Sequence, residues 1–171
     1  MPTRQPATFR AVSVIVAGIL ALGLAGCTAV AAPVHDPAHY STGGTHTCVH
    51  GASIELDGDS VAFIIEGACS SVVVHGDGMT VRLQRALALS VNGQSDSVTV
   101  NDRIGSAVLK GNGISIMADS IGSVQVTGQN NSIAAPALGS VMVQGDFNAV
   151  TTHLKPSDYR AIGLDDTLVV Q

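Results

Sequence analysis

Apolar residues return along this chain with a period of 17 or 18 and keep their phase. Take Gly58, Gly76, Gly93, Gly111, Gly128 and Gly145 as origins. The fourth position before each holds Ile54, Val72, Leu89, Ala107, Val124 and Val141. The second before holds Leu56, Val74, Val91, Leu109, Val126 and Val143, and the fifth after holds Phe63, Val81, Val98, Ile116, Ile133 and Val150. Seven after stand Ile65, Leu83, Val100, Ala118 and Ala135, with Thr152 the one polar lapse. The residue just before each glycine is polar throughout: Asp57, His75, Asn92, Lys110, Thr127 and Gln144. Such alternation over four or five residues marks a strand with one face buried and one wet. Each repeat therefore predicts two short strands, one on either side of the glycine, joined across it by a tight turn. Glycine suits a corner that needs positive φ. Asp96, Asn131 and Asn148, three places later, are of types that tolerate the left-handed region or bond the local backbone.

The fifth position before each glycine is Ser53, Ser71, Ala88, Ser106, Ser123 and Ser140. A column of small residues at one phase is what closely stacked coils demand, and stacked hydroxyls can bond along the ladder. The pattern specifies an all-β fold, a single-stranded β-solenoid of about six coils over residues 47–154, each coil lying on the last. Regular hairpins in an antiparallel sandwich would also space strands evenly, but give no reason for the serine column. The hexapeptide pattern of left-handed coils is absent, which points to a right-handed one. Open ends are unpaired strand edges and need caps. Lys155-Pro156 breaks the pattern, so residues 155–171 are expected to fold back as a cap or tail, with a capping strand at residues 167–170.

The N-terminus reads as an address. Arg4 and Arg10 precede an apolar run at residues 11–24, of signal-peptide length and short for a membrane span. It ends in Leu24-Ala25-Gly26-Cys27, which resembles the lipobox of bacterial lipoproteins, where cleavage leaves a diacylglyceryl-modified cysteine first in the chain. On this reading residues 1–26 are a lipoprotein signal peptide. Cys27 is lipidated, and residues 27–46, with Pro33, Pro37, Gly43 and Gly44, form a tether to the extracytoplasmic face of a bacterial membrane. Without Arg4 and Arg10 the charge stands at six basic against thirteen acidic residues, which argues against nucleic acid as a partner. With Cys27 acylated, Cys48 and Cys69 remain, an even number in an oxidising compartment, and predict a disulfide.

These features resemble a known family. The opening Gly58-Asp59 and Gly67-Ala68-Cys69, with Gly128-Gln129-Asn130-Asn131 and Gly145-Asp146-Phe147-Asn148, are similar to the domain of unknown function 3060 of exported actinobacterial proteins and lipoproteins. The likeness spans about residues 47–154. Met79, Asp96 and Ile114 stand where that pattern usually has Asn. The resemblance implies a location and a fold, and brings no activity with it.

Candidate chemistry is sparse. Polysaccharide-active sites on parallel β-helices need several Asp with Arg or Lys on neighbouring rungs of one outer face. The outward columns here hold mixtures such as Val73, Ser90, Val108, Gln125 and Met142. Arg85 and Asp102 share a phase on adjacent rungs, near Asp119, and read as a surface ion pair. No catalytic residue and no cofactor motif is assigned, and the chain is read as a non-enzyme. His35, His39, His46 and His50 fall within sixteen residues, a weak candidate metal set, because the flanking Pro and Gly deny it the helix that H-x3-H spacing needs. Outward Ile64, Val73, Val108, Met117 and Met142 would make a docking patch for a protein or lipid partner if contiguous. The expectation is a lipid-anchored, non-catalytic structural or interaction module. A ligand-binding lipoprotein is the alternative, taking metal on the His-rich tether or glycan on an outer face.

Overall fold

The computed structural model describes residues 36–171. Twelve strands join in one hydrogen-bonded set, and every ladder in it is parallel. They are β1 (Ala38–Tyr40), β2 (Gly44–Thr47), β3 (Ser53–Asp57), β4 (Ala62–His75), β5 (Thr80–Gln94) and β6 (Ser97–Asn112). Then come β7 (Ser115–Thr127), β8 (Ser132–Ala134), β9 (Ala137–Gln144), β10 (Ala149–Thr152), β11 (Asp158–Ile162) and β12 (Thr167–Val170). From β3 onward each paired residue lies 17 or 18 places from its partner, and in the first coil 16 (β1 to β3) or 19 (β2 to β4), so the chain is a β-solenoid. Val124 lies beside Val141, and Ile116 beside Ile133.

The coils number about eight, two more than the sequence pattern counted. The first extra coil is β1 with β2, paired to β3 and β4 at residues expected to belong to the tether. Ala38 and Tyr40 take the phase of Ile54 and Leu56, but the turn between β1 and β2 is shortened, and with it the glycine signal is lost. The second is β11 with β12, paired to β9 and β10. Residues 167–170 do form a strand, and the break at Lys155-Pro156 is only local. Gly163, Tyr159, Ala161, Leu168 and Val170 resume the phases of Gly145, Val141, Val143, Val150 and Thr152. Numbering coils from β1, the turn glycines 58 to 163 belong to coils two to eight.

The apolar columns fill one continuous core in which nearly every member from Ile54 to Val150 is below one-tenth exposed. Thr152 is buried too, and its hydroxyl reaches the carbonyls of Pro136 and Leu154 at 3.1 and 3.0 Å. A buried hydroxyl so partnered avoids its desolvation cost. The two strands expected per repeat merge in the middle of the molecule. β4 to β7 each run from after one turn glycine to before or just past the next, bending at a corner where the register shifts. That corner explains the uneven period. Two residues separate Leu83 from Ala86, whereas three separate Ile65 from Cys69 and Val100 from Ile104. The rest of the coil keeps its length, so the bulge absorbs the extra residue without disturbing the columns.

At the turn, the glycine is required by stacking. A Cβ on Gly111 would overlap the carbonyl oxygen of Gly93, and φ there is +146°. The left-handed residue proper stands two places after the glycine, at Ser60, Gly78, Ser95, Gly113, Asn130, Phe147 and Asp165, with φ from +56° to +68°. The third place, where Asp96, Asn131 and Asn148 sit, is instead an inward position, and these three are buried. Their side chains bond the neighbouring coil: Oδ1 of each accepts the N–H at the same phase of the preceding coil, from Met79, Ile114 and Asn131 at 2.8, 2.9 and 3.0 Å. On the outer side of the turn a second ladder runs the other way. Asp59, Asp77, Asn112 and Asp146 accept the N–H of Asp77, Gln94, Gln129 and Leu164.

The serine column is half-buried and in register, Ser106 beside Ser123 beside Ser140. On three coils the residue before it is glycine, Gly105, Gly122 and Gly139, and a Cβ on Gly122 would stand 2.5 Å from the carbonyl oxygen of Gly105. On those coils this corner is a second place where backbones nearly touch, while one coil earlier the same phase holds Leu87, which is 59% exposed.

Candidate functional site

The side chains that could meet a partner are those the strand parity turns outward. The column six after each turn glycine is in register along the whole stack: Thr45, Ile64, Arg82, Thr99, Met117, Ala134, Thr151 and Val169. Two places further each coil enters the bulged corner, whose outward residues rise beside the sheet as a rim. Between sheet and rim lie two clefts on the same face. The first, about 530 Å³, is lined by Ile64, Glu66, Arg82, Gln84, Asn101 and Asp102. The second, about 470 Å³, runs over coils four to eight past Asn101, Met117, Asp119, Pro136, His153 and Gln171. Asn101 lines both, so the two clefts adjoin along the stack, and together they are called the groove.

The rim gives the groove its chemistry. Glu66, Gln84, Asn101, Asp119, His153 and Gln171 place one hydrogen-bonding side chain per rung, interrupted at Pro136. Gln84 is partly committed, since its Oε1 accepts the Gly67 N–H at 2.8 Å. Arg85 and Asp102 form the expected cross-rung pair, with Arg85 Nε donating to Asp102 Oδ2 at 2.8 Å. Both are about half exposed, which leaves the pair little weight in stability. The floor is a mixture of Thr99, Met117, Ala134 and Thr151, with Met117 55% exposed.

The outward aliphatics do not form the contiguous patch that docking would need. Ile64 and Met117 lie on the groove floor, with Arg82 and Thr99 on the rungs between them. Val73, Val108 and Met142 stand in a different outward column, with Ser90 and Gln125 interposed. Register decides this, because apolar residues separated by polar rungs stay roughly 10 Å apart.

The histidine set is spread out. His39 faces outward and contacts Asp57, while His46 faces inward, stacked on Tyr40 at 3.7 Å between ring centroids and 5.9 Å from Phe63. His50 falls in the short 3-10 turn Val49–Gly51, and His35 lies outside the described residues. On strands, His39 and His46 fall on opposite faces, so the spacing that would gather them on a helix parts them here. Among the described residues no group of three or more His, Cys, Asp or Glu is placed to hold a metal ion. A second histidine, His75, reaches Glu55 at 3.4 Å beside the His39–Asp57 contact.

Cys48 and Cys69 are joined, with Cα atoms 5.3 Å apart, within the ordinary disulfide range. Cys69 belongs to the inward corner column with Ala86, Ile104, Ile121 and Leu138, so the bond ties the first coil to the interior of the next. Cys27, the apolar run and the start of the tether lie outside the described residues. Among those described, no helix is long and apolar enough to cross a membrane. No family model, curated protein or solved structure matches this chain.

Proposed function

We propose that this chain is a lipid-anchored protein of the extracytoplasmic face of a bacterial membrane, held by acyl chains on Cys27. Its solenoid serves as a non-catalytic interaction module that meets its partner along the grooved face. The observation that carries the second part is the groove itself, two adjoining clefts with a hydrogen-bonding side chain on nearly every rung of the rim. Nothing in the stacking of coils requires polar, outward side chains to line up beside a recess. The lipobox-like Leu24-Ala25-Gly26-Cys27 and the disulfide support an oxidising, membrane-attached setting. A second reading, an envelope glycan as the ligand, draws on the same rim. Amides and carboxylates spaced by one strand separation can pair successive hydroxyls of an extended chain.

Two measurements test this. Metabolic labelling with a fatty-acid analogue should mark the chain and be lost in Cys27→Ala. Continued labelling of that variant would end the lipid-anchor reading. A photo-crosslinking residue at Met117, in the groove, should give discrete adducts on intact cells that the same residue at Met142, on the other face, does not. Equal adducts at both positions would remove the groove from the proposal.

A further inference from the structure

The inward ladder three places after the turn glycines shows what that position requires. Asn131 and Asn148 each do three things. Oδ1 accepts an N–H of the preceding coil, and Nδ2 donates to the carbonyl of the preceding turn glycine, Gly111 and Gly128, at 3.0 Å in both cases. Nδ2 also donates to Oδ1 at the same phase of the following coil, Asn148 and Asp166, at 3.0 Å. Asp96 occupies the same phase one coil before Ile114. Its Oδ1 accepts the Met79 N–H at 2.8 Å, as an Asn would. Its Oδ2 is buried without a hydrogen-bond partner. That oxygen stands where the amide nitrogen stands in the other two. A Cβ built on Gly93 would lie 2.5 Å from Asp96 Oδ2 and overlap the Gly76 carbonyl oxygen, so the two oxygens converge over Gly93. The following coil offers Ile114 at this phase and no donor.

We infer that Asp96 is held as a carboxylic acid whose Oδ2 donates its proton to the Gly76 carbonyl, making this rung of the solenoid a proton-dependent one. As a carboxylate it would set two acceptors against each other in a site that water does not reach, and an unpaired buried charge is costly. The charged groups around it act the same way. Asp77 and Asp59, on the turns of the two preceding coils, add negative charge, while the next coil presents neutral Asn112 at its turn and exposed Lys110 just before it. Burial raises the Asp96 carboxyl above its ordinary 3.8, the Met79 N–H pulls against that, and Asp77 and Asp59 raise it further. The folded chain therefore binds this proton more tightly than the unfolded one. The contribution to stability is complete below 3.8 and is lost as pH rises through the folded value. This rung so built stacks most firmly in acid.

The test uses the full-length chain. Carboxyl carbon resonances of the wild type followed through pH should show Asp96 titrating above 3.8. Thermal unfolding across the same pH range should show Asp96→Asn melting higher than wild type near neutrality, with the gap closing towards acid, because the amide supplies the hydrogen bond at every pH. A carboxyl titrating at or below 3.8 overturns the inference. So does an Asp96→Asn chain that melts lower near pH 7 or fails to fold.

Discussion

Single positions carry this fold through contacts with the residue one coil away. Gly111 and Gly113 show the distinction. Gly111 has φ +146° and its missing Cβ leaves room for the Gly93 carbonyl, whereas Gly113 has φ +68° and only ordinary contacts near an added Cβ. Gly111→Ala should therefore cost about 3 kcal/mol or more, from backbone strain and a clash that parts two coils. Gly113→Asn should stay within about 1 kcal/mol, since Asn130 already holds the same left-handed conformation one coil later. Urea unfolding of the two variants beside wild type measures both. The sequence pattern identified the turn glycines, but it put the left-handed residue one place too late and gave Asp96, Asn131 and Asn148 a local role. Their partners lie 17 residues away, and a propensity argument, which looks along the chain, has no view of them.

Strands and corners were legible to the extent that a two-residue alternation determines them. The inward columns appear in the structure at the phases the apolar residues mark, because a shift of one residue would turn the whole set outward. The merging of two expected strands into β4, β5, β6 and β7 was hidden, because the bulged corner keeps an extended backbone without keeping the alternation. The first coil was hidden as well, since its turn lacks the glycine signature. Its anchoring to the next depends on the short parallel ladders of β1 and β2, the Tyr40–His46 stack and the Cys48–Cys69 bond. With the cysteines 21 positions apart, closing that loop contributes about 3 kcal/mol in the chain-entropy model. Replacing both by Ala should lower the melting temperature, with hydrogen exchange accelerating first at β1 and β2. Unchanged protection of those strands would mean that the ladders alone hold the coil.

Over the whole molecule, stability resides in the repetition. No coil can bury its own apolar side chains, and each is roofed by the next, so the stack behaves as a chain of nearest-neighbour interfaces. Among the described residues the eighth coil is covered by no further rung, and on its inward columns Tyr159 and Leu168 are only partly buried and Val170 is nearly half exposed. The groove is a property of this scale too. It depends on where the corner bulges relative to the sheet, which the residue pattern does not encode, and so the sequence pointed to scattered aliphatics and histidines in place of it. The account stands or falls on parallel coils stacked in register at one strand spacing. Spin labels placed at Glu55 and, in turn, at Gln125, Met142 and Arg160, all in one outward column, measure that stacking directly by pulsed dipolar spectroscopy. Distances of roughly 19, 24 and 29 Å, growing by about 4.8 Å for each added coil, are the predicted result. Distances that fail to lengthen step by step, as in an antiparallel sandwich, would contradict it.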